Sequence, residues 1–121
     1  MKRKIKFNQA INEAIYQAMD SDKKIVCYGL GVTDPRRVFY TTEKLVEKFG
    51  KDRVFDVPTS ENALTGVAIG LANLGSKVVL SHQRVDFSFL SMDQIINSLS
   101  KWHYMFGGAR NLSVTIRLII G

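Results

Sequence analysis

Apolar residues recur at helical spacing in three parts of the chain and predict three helices. The first covers residues 8–20, with Asn8 as its expected N-cap. The second contains Leu45 and Phe49, with Thr42 as its cap and Gly50 as its end. The third covers residues 61–74. A further stretch, 89–106, predicts a long helix that the glycine pair at 107–108 would terminate.

Shorter apolar runs between these segments predict strands. Residues 24–28, 53–56 and 77–81 form three such runs, and apolar residues alternate with polar ones over 112–118. Strands that alternate with helices along a chain indicate an α/β fold with a mostly parallel sheet and helices on both faces. Continuous apolar strands fit this class because helices cover them on both sides.

Length and composition favour one soluble domain over residues 1–121. The chain has 121 residues, of which 45% are hydrophobic and 23% charged. No apolar run approaches the roughly 20 residues that span a bilayer, so we expect no membrane partner. The single cysteine, Cys27, has no internal disulfide partner, which favours a cytoplasmic setting. We expect the domain to be incomplete at its C-terminal end, because no helix follows the last strand.

The net charge of +6 raises the question of nucleic-acid binding. The basic residues are scattered, apart from the amino-terminal cluster and the pair Arg36-Arg37. There is no zinc-ligand spacing, and no RNA motif that combines aromatic and basic residues. We therefore expect no nucleic-acid partner and no bound metal within the chain.

Glu61 is the main candidate for chemistry. It follows a predicted strand and a proline, Pro58, and lies in the first turn of the helix that Thr59-Ser60 introduces. Ligands of parallel sheets bind outside the carboxyl ends of the strands, near helix amino termini, so Glu61 is placed for proton chemistry. The alternative is structural, because acidic residues also stabilise the helix dipole in a first turn.

Other candidate residues have structural interpretations that are simpler than functional ones. Gly29-Leu30-Gly31 follows a strand but lacks the third glycine of a dinucleotide fingerprint, so a turn is favoured. His82 and His103 are single histidines without metal-ligand spacing, for which a hydrogen-bonded structural role is the default.

Small residues cluster on the helix that begins at Glu61. Gly66 and Gly70 stand four residues apart, with alanines at 63, 68 and 72. Such residues allow another backbone to approach closely. The helix is therefore expected to pack tightly against the sheet, against another helix or against a second subunit, and these possibilities remain open at this point.

Taken together, these segments resemble the beta subunit of thiamine-diphosphate-dependent 2-oxoacid dehydrogenases, in its transketolase-like pyrimidine-binding domain. The similarity extends over residues 7–121 with order and spacing preserved. The matching segments are FNQAINEA at 7–14, EKFGKDRV at 47–54, DVPTSE at 56–61, GVAIG at 66–70, MDQIIN at 92–97 and KWHYMFGG at 101–108.

The resemblance implies roles for individual residues. Glu61 falls on the glutamate that hydrogen-bonds a ring nitrogen of the aminopyrimidine of thiamine diphosphate. Its carboxyl group favours the tautomer whose exocyclic nitrogen takes the proton from the thiazolium carbon. Phe87 falls on the aromatic residue that stacks on the aminopyrimidine, the alternative being a core phenylalanine. Gly66 and Gly70 fall on the small-residue helix that lies between subunits.

The resemblance also implies partners. An alpha subunit would carry the motif that holds the diphosphate and magnesium, in a homo- or hetero-oligomer acting on a small-molecule substrate. The chain departs from the family at Leu30-Gly31 and at Ser81, where acidic residues are usual, which puts coupling between active sites in doubt. Two alternatives remain: a transketolase or deoxyxylulose-phosphate-synthase type of enzyme, and a non-catalytic assembly domain with the same fold.

Overall fold

A four-stranded parallel sheet forms the centre of the molecule. The computed structural model describes residues 3–120. The strands run in the order β2-β1-β3-β4, and every neighbouring pair is parallel. This confirms the predicted α/β class with a mostly parallel sheet. The strands are β1 (Ile25–Gly29), β2 (Val54–Asp56), β3 (Lys77–His82) and β4 (Val114–Leu118).

Helices cover both faces of the sheet. The helical elements are α1 (Phe7–Ser21), α2 (Arg37–Tyr40), α3 (Leu45–Phe49), α4 (Glu61–Asn73), α5 (Val85–Ser88) and α6 (Trp102–Met105). On one face, α1 and α3 pack on β1 and β2 around residues such as Met19, Cys27 and Leu45, which are fully buried. On the other face, α4 packs on β1 and β3 around Tyr28, Ala68 and Leu80. Neither face of the sheet is left to solvent at its centre, which explains the continuous apolar strands.

The starts of two helices differ from the expectation. Lys6 is the N-cap of α1, where its backbone N–H donates to the Gln9 side chain (3.1 Å), so the expected Asn8 cap is wrong. Asn8 lies within the helix, and its amide donates to the Phe39 carbonyl (3.2 Å). The expected Thr42 cap of α3 is also wrong. Lys44 is the N-cap, and the buried Thr42 hydroxyl bonds backbone carbonyls of the preceding loop.

The long helix expected over 89–106 is broken into short pieces. After α5 come a 3₁₀ turn at Phe89–Ser91 and a π-helical turn at Gln94–Leu99, and α6 follows. Serine hydroxyls in this segment bond nearby carbonyls, as Ser88 does to Val85 (2.6 Å) and Ser100 to Ile96 (2.7 Å). Side-chain bonds of this kind compete with the regular helical ladder. The segment still ends at the glycine pair 107–108, as expected, with both glycines at positive φ.

The short element α2, between β1 and α3, is a left-handed turn. All four of its residues have positive φ, from 46° to 64°, including the β-branched Val38. Each such residue costs roughly 1–2 kcal/mol relative to right-handed backbone. Tertiary bonds hold the turn, because the amides of Asn8 and Asn12 on α1 donate to the carbonyls of Phe39 and Thr41.

Candidate functional site

The site lies at the edge of the sheet where the four parallel strands end. Asp56, the last residue of β2, accepts hydrogen bonds from the backbone N–H groups of Val32 and Thr33, each at 2.9 Å. This carboxylate therefore fixes the loop after β1 against the end of β2. The chain then passes Pro58 and enters α4 at Glu61.

Glu61 is buried at the amino terminus of a 13-residue helix. The residue is 5% exposed, which is rare for a glutamate without a partner. Within residues 3–120, no group donates a hydrogen bond to this carboxylate. Ser60 is the N-cap of α4, but its hydroxyl makes no capping bond either. A carboxyl group that has no donor in residues 3–120, and whose oxygen atoms are not fully enclosed, is free to bond a ligand or a partner.

Thr65 and His82 join Glu61 in one cluster, which we call the Glu61 cluster. Thr65 lies one turn after Glu61, and its Oγ1 donates to the Glu61 carbonyl (2.9 Å). His82 ends β3, and its Nε2 lies 3.4 Å from Thr65 Oγ1. Both Thr65 and His82 are fully buried. The i, i+4 spacing of Glu61 and Thr65 is visible in the sequence, whereas the approach of His82 requires the packing of α4 on β3.

Burial and the charge of Glu61 shift the pKa of His82 in opposite directions. Burial lowers the pKa of His82 below its usual value, since charging the ring would cost desolvation energy. The negative charge of Glu61 raises that pKa and only partly offsets the effect of burial. Near neutral pH the ring is therefore uncharged.

Phe87 lies in α5, five residues beyond the end of β3. Its side chain is 39% exposed, and it belongs to neither core cluster. The alternative of a core phenylalanine does not fit this placement.

Gly66 and Gly70 lie on the side of α4 that points away from the sheet. Ala68 and Ala72 take the buried side, so close packing against the sheet accounts for part of the small-residue pattern. A Cβ atom at Gly66 would meet the Gln94 side chain at 3.5 Å, which is an ordinary contact. A Cβ atom at Gly70 would meet nothing within 4 Å, so an open strip remains beside it.

The positions that depart from the resembled family are also well defined. Leu30 is buried in the core beneath α4, and Ser81 is buried on the opposite face of β3. The Ser81 hydroxyl accepts a hydrogen bond from Arg117 (3.3 Å). No carboxylate occupies either position, so this edge of the sheet has less negative charge than the family pattern would give.

Over residues 3–120, no three side chains of His, Cys, Asp or Glu lie together as a metal-binding group. In the same part of the chain, no helix combines the length and apolar character needed to cross a bilayer.

Comparison with known proteins identifies the domain. Residues 3–118 match the family described as the transketolase pyrimidine binding domain. The 3-methyl-2-oxobutanoate dehydrogenase subunit beta of Mycobacterium tuberculosis is 39% identical over 110 residues, which is 91% of this chain and 32% of that protein. The pyruvate dehydrogenase E1 component subunit beta of Staphylococcus aureus is 36% identical over 113 residues, covering 93% of this chain and 35% of the relative.

A plant protein shows the same relationship. The mitochondrial pyruvate dehydrogenase E1 component subunit beta-1 of Arabidopsis thaliana is 36% identical over 108 residues, or 89% of this chain and 30% of its own length. The chain therefore spans about a third of the length of these relatives. The resemblance to dehydrogenase beta subunits is confirmed, and the chain belongs to the transketolase pyrimidine-binding domain family.

Proposed function

We propose that this chain forms the pyrimidine-binding part of the active site of a thiamine-diphosphate-dependent 2-oxoacid dehydrogenase. The observation that carries the proposal is the Glu61 carboxyl group, which is buried at a helix amino terminus and has no donor within residues 3–120. The beta subunits to which the chain is similar are named for dehydrogenases of pyruvate and of 3-methyl-2-oxobutanoate, which are 2-oxoacids.

The side chains on this edge fit the aminopyrimidine end of the cofactor. Glu61 can exchange a proton and a hydrogen bond with a ring nitrogen, and the exposed ring of Phe87 can stack on an aromatic heterocycle. When bound, thiamine diphosphate supplies the carbon nucleophile and the electron sink for decarboxylation. The chain's own contribution is to hold the pyrimidine, to exclude water from its ring nitrogen and to place a carboxyl proton there.

The other end of the cofactor requires a partner. A diphosphate with magnesium needs oxygen ligands and cationic or backbone N–H donors, and residues 3–120 bring no cluster of acidic ligands together. An alpha subunit with the diphosphate-binding motif would complete the site. Gly66 and Gly70 would lie where α4 meets another subunit, since the strip beside Gly70 is open.

Isothermal titration calorimetry with thiamine diphosphate and magnesium tests this division of the site. The chain alone should bind weakly or not at all, because the charged end of the cofactor normally supplies much of the affinity. Addition of an alpha subunit should produce magnesium-dependent binding. Tight magnesium-dependent binding by the chain alone would contradict the division, and no binding by the assembled pair would contradict the function.

A further inference from the structure

His82 is buried against α4, and its two ring nitrogens differ in their hydrogen-bond partners. Side chains alternate along β3, so His82 shares a face with Val78 and Leu80 and points toward α4. It is fully buried, and the nearest polar side-chain atom bonded to it is Thr65 Oγ1, 3.4 Å from Nε2. Its Nδ1 is also buried and has no hydrogen-bond partner within residues 3–120.

The Thr65 hydroxyl determines which ring nitrogen carries the proton. A hydroxyl has one hydrogen, and that of Thr65 is used in the 2.9 Å bond to the Glu61 carbonyl. Toward His82 the same oxygen can only accept. The proton of a neutral His82 ring therefore lies on Nε2, and Nδ1 presents a bare lone pair.

We propose that His82 is a positioning residue for Glu61: Thr65 holds it as the neutral Nε2–H tautomer, so that the start of α4, where Glu61 lies, packs against an uncharged ring. The consequence for catalysis rests on the proposed function. An imidazolium at this place would attract the Glu61 carboxylate, whose charge acts on the ring, and would compete with a ligand for it. The neutral ring leaves the carboxyl group free for the pyrimidine.

The other charged groups near His82 have partners of their own, so Glu61 is the group whose charge acts on the ring. Arg117 of β4 bonds Ser81 on the opposite face of the sheet. Arg84 and Asp86, which follow β3, pair with each other at the surface. Tyr28 of β1 is neutral and donates to the Leu64 carbonyl (2.7 Å). Glu61 is therefore the charge in residues 3–120 that bears on the ring.

Nitrogen NMR of the full chain tests the proposal without any cofactor. Long-range ¹H–¹⁵N correlation across a pH series reports the tautomer and the titration midpoint of each histidine, with the exposed His103 as an internal reference. We expect His82 to be the Nε2–H tautomer with a midpoint below that of a free histidine. Glu61→Gln should lower the midpoint further, because it removes the negative charge that favours the imidazolium.

Two further variants make the test specific. Thr65→Val, which keeps the side-chain shape, should remove the preference for Nε2–H and move population toward Nδ1–H. Glu43→Gln, on an exposed residue of a distant loop, should leave the His82 midpoint unchanged. An Nδ1–H tautomer in the unsubstituted chain, or an unchanged midpoint in Glu61→Gln, would overturn the proposal.

The catalytic consequence has a separate readout in the assembled enzyme. The rate of thiazolium proton exchange should fall as the pH drops through the His82 midpoint, and His82→Gln should abolish that acid limb. Glutamine can donate to Thr65 but does not titrate. If His82 had a purely structural role, the pH profile of the His82→Gln variant would therefore have the same shape as that of the unsubstituted enzyme. If the chain shows the NMR coupling but the enzyme lacks the limb, the effect on catalysis is wrong while the proposed function stands.

Discussion

At the scale of single residues, burial controls reactivity as well as stability. Cys27 is fully buried in β1, and burial raises the pKa of its thiol to about 12, with the positive charge of Arg117 opposing the shift. The thiolate is the reactive form of cysteine. The native chain should therefore resist iodoacetamide at neutral pH and react once it is unfolded in urea. Rapid labelling of the folded chain, followed by mass spectrometry, would contradict this burial.

The residues of the Glu61 cluster differ in how far the sequence could indicate them. The sequence indicates Glu61 by its place after a strand and at the start of a helix, a position that depends only on local pattern. The sequence predicts only a structural role for His82, because a single histidine without metal-ligand spacing gives no local signal of function. Its approach to Thr65 depends on how α4 crosses β3, and that crossing is a property of the packed core.

At the scale of elements, two glycines differ in how much space their surroundings leave for a side chain. Gly29 ends β1 with φ of +147°, and a Cβ atom there would lie 2.1 Å from the Ser81 carbonyl oxygen. Gly29→Ala should destabilise the chain through overpacking and backbone strain, each worth about 1–3 kcal/mol. Urea denaturation measures the free energy of unfolding.

Gly70→Ala is the matched control for that substitution. Gly70 lies inside α4 with nothing within 4 Å of its missing Cβ. Alanine in a helix interior should stabilise the chain by roughly 0.5–1 kcal/mol. Equal effects of the two substitutions on the unfolding free energy would show that β1 and β3 do not approach each other as closely as described.

The order of elements was predictable because apolar residues recur with different periods in strands and in helices. The breaks in the segment after β3 could not be predicted. The apolar spacing over 89–106 is broadly helical and does not show where α, 3₁₀ and π hydrogen bonding replace one another. Serine hydroxyls in this segment bond nearby carbonyls and so compete with the regular ladder. The left-handed turn α2 was likewise out of reach, because amides from α1 hold it, and these contacts join residues about thirty positions apart.

At the scale of the whole molecule, the open side of α4 is the surface proposed to meet another subunit. Gly70→Leu should weaken that association while the chain keeps its fold, because the added side chain enters empty space in the monomer. Analytical ultracentrifugation of the assembly measures the effect. Gln17→Leu, on the exposed side of α1, controls for an added surface leucine. Identical assembly of both variants would contradict the interface.

We propose that the Glu61 carboxyl group promotes proton transfer at the cofactor, and Glu61→Gln in the assembled enzyme tests this role directly. The measurement is deuterium exchange of the thiazolium proton, followed by NMR. Glutamine keeps the size of the side chain but cannot exchange the proton, and a positioned acid–base group typically contributes about 10²–10⁴-fold in rate. A loss of that order with the fold intact is the predicted result. Exchange near the rate of the unsubstituted enzyme would contradict the claim and leave Glu61 as a residue that stabilises the helix dipole, worth roughly 0.3–1 kcal/mol.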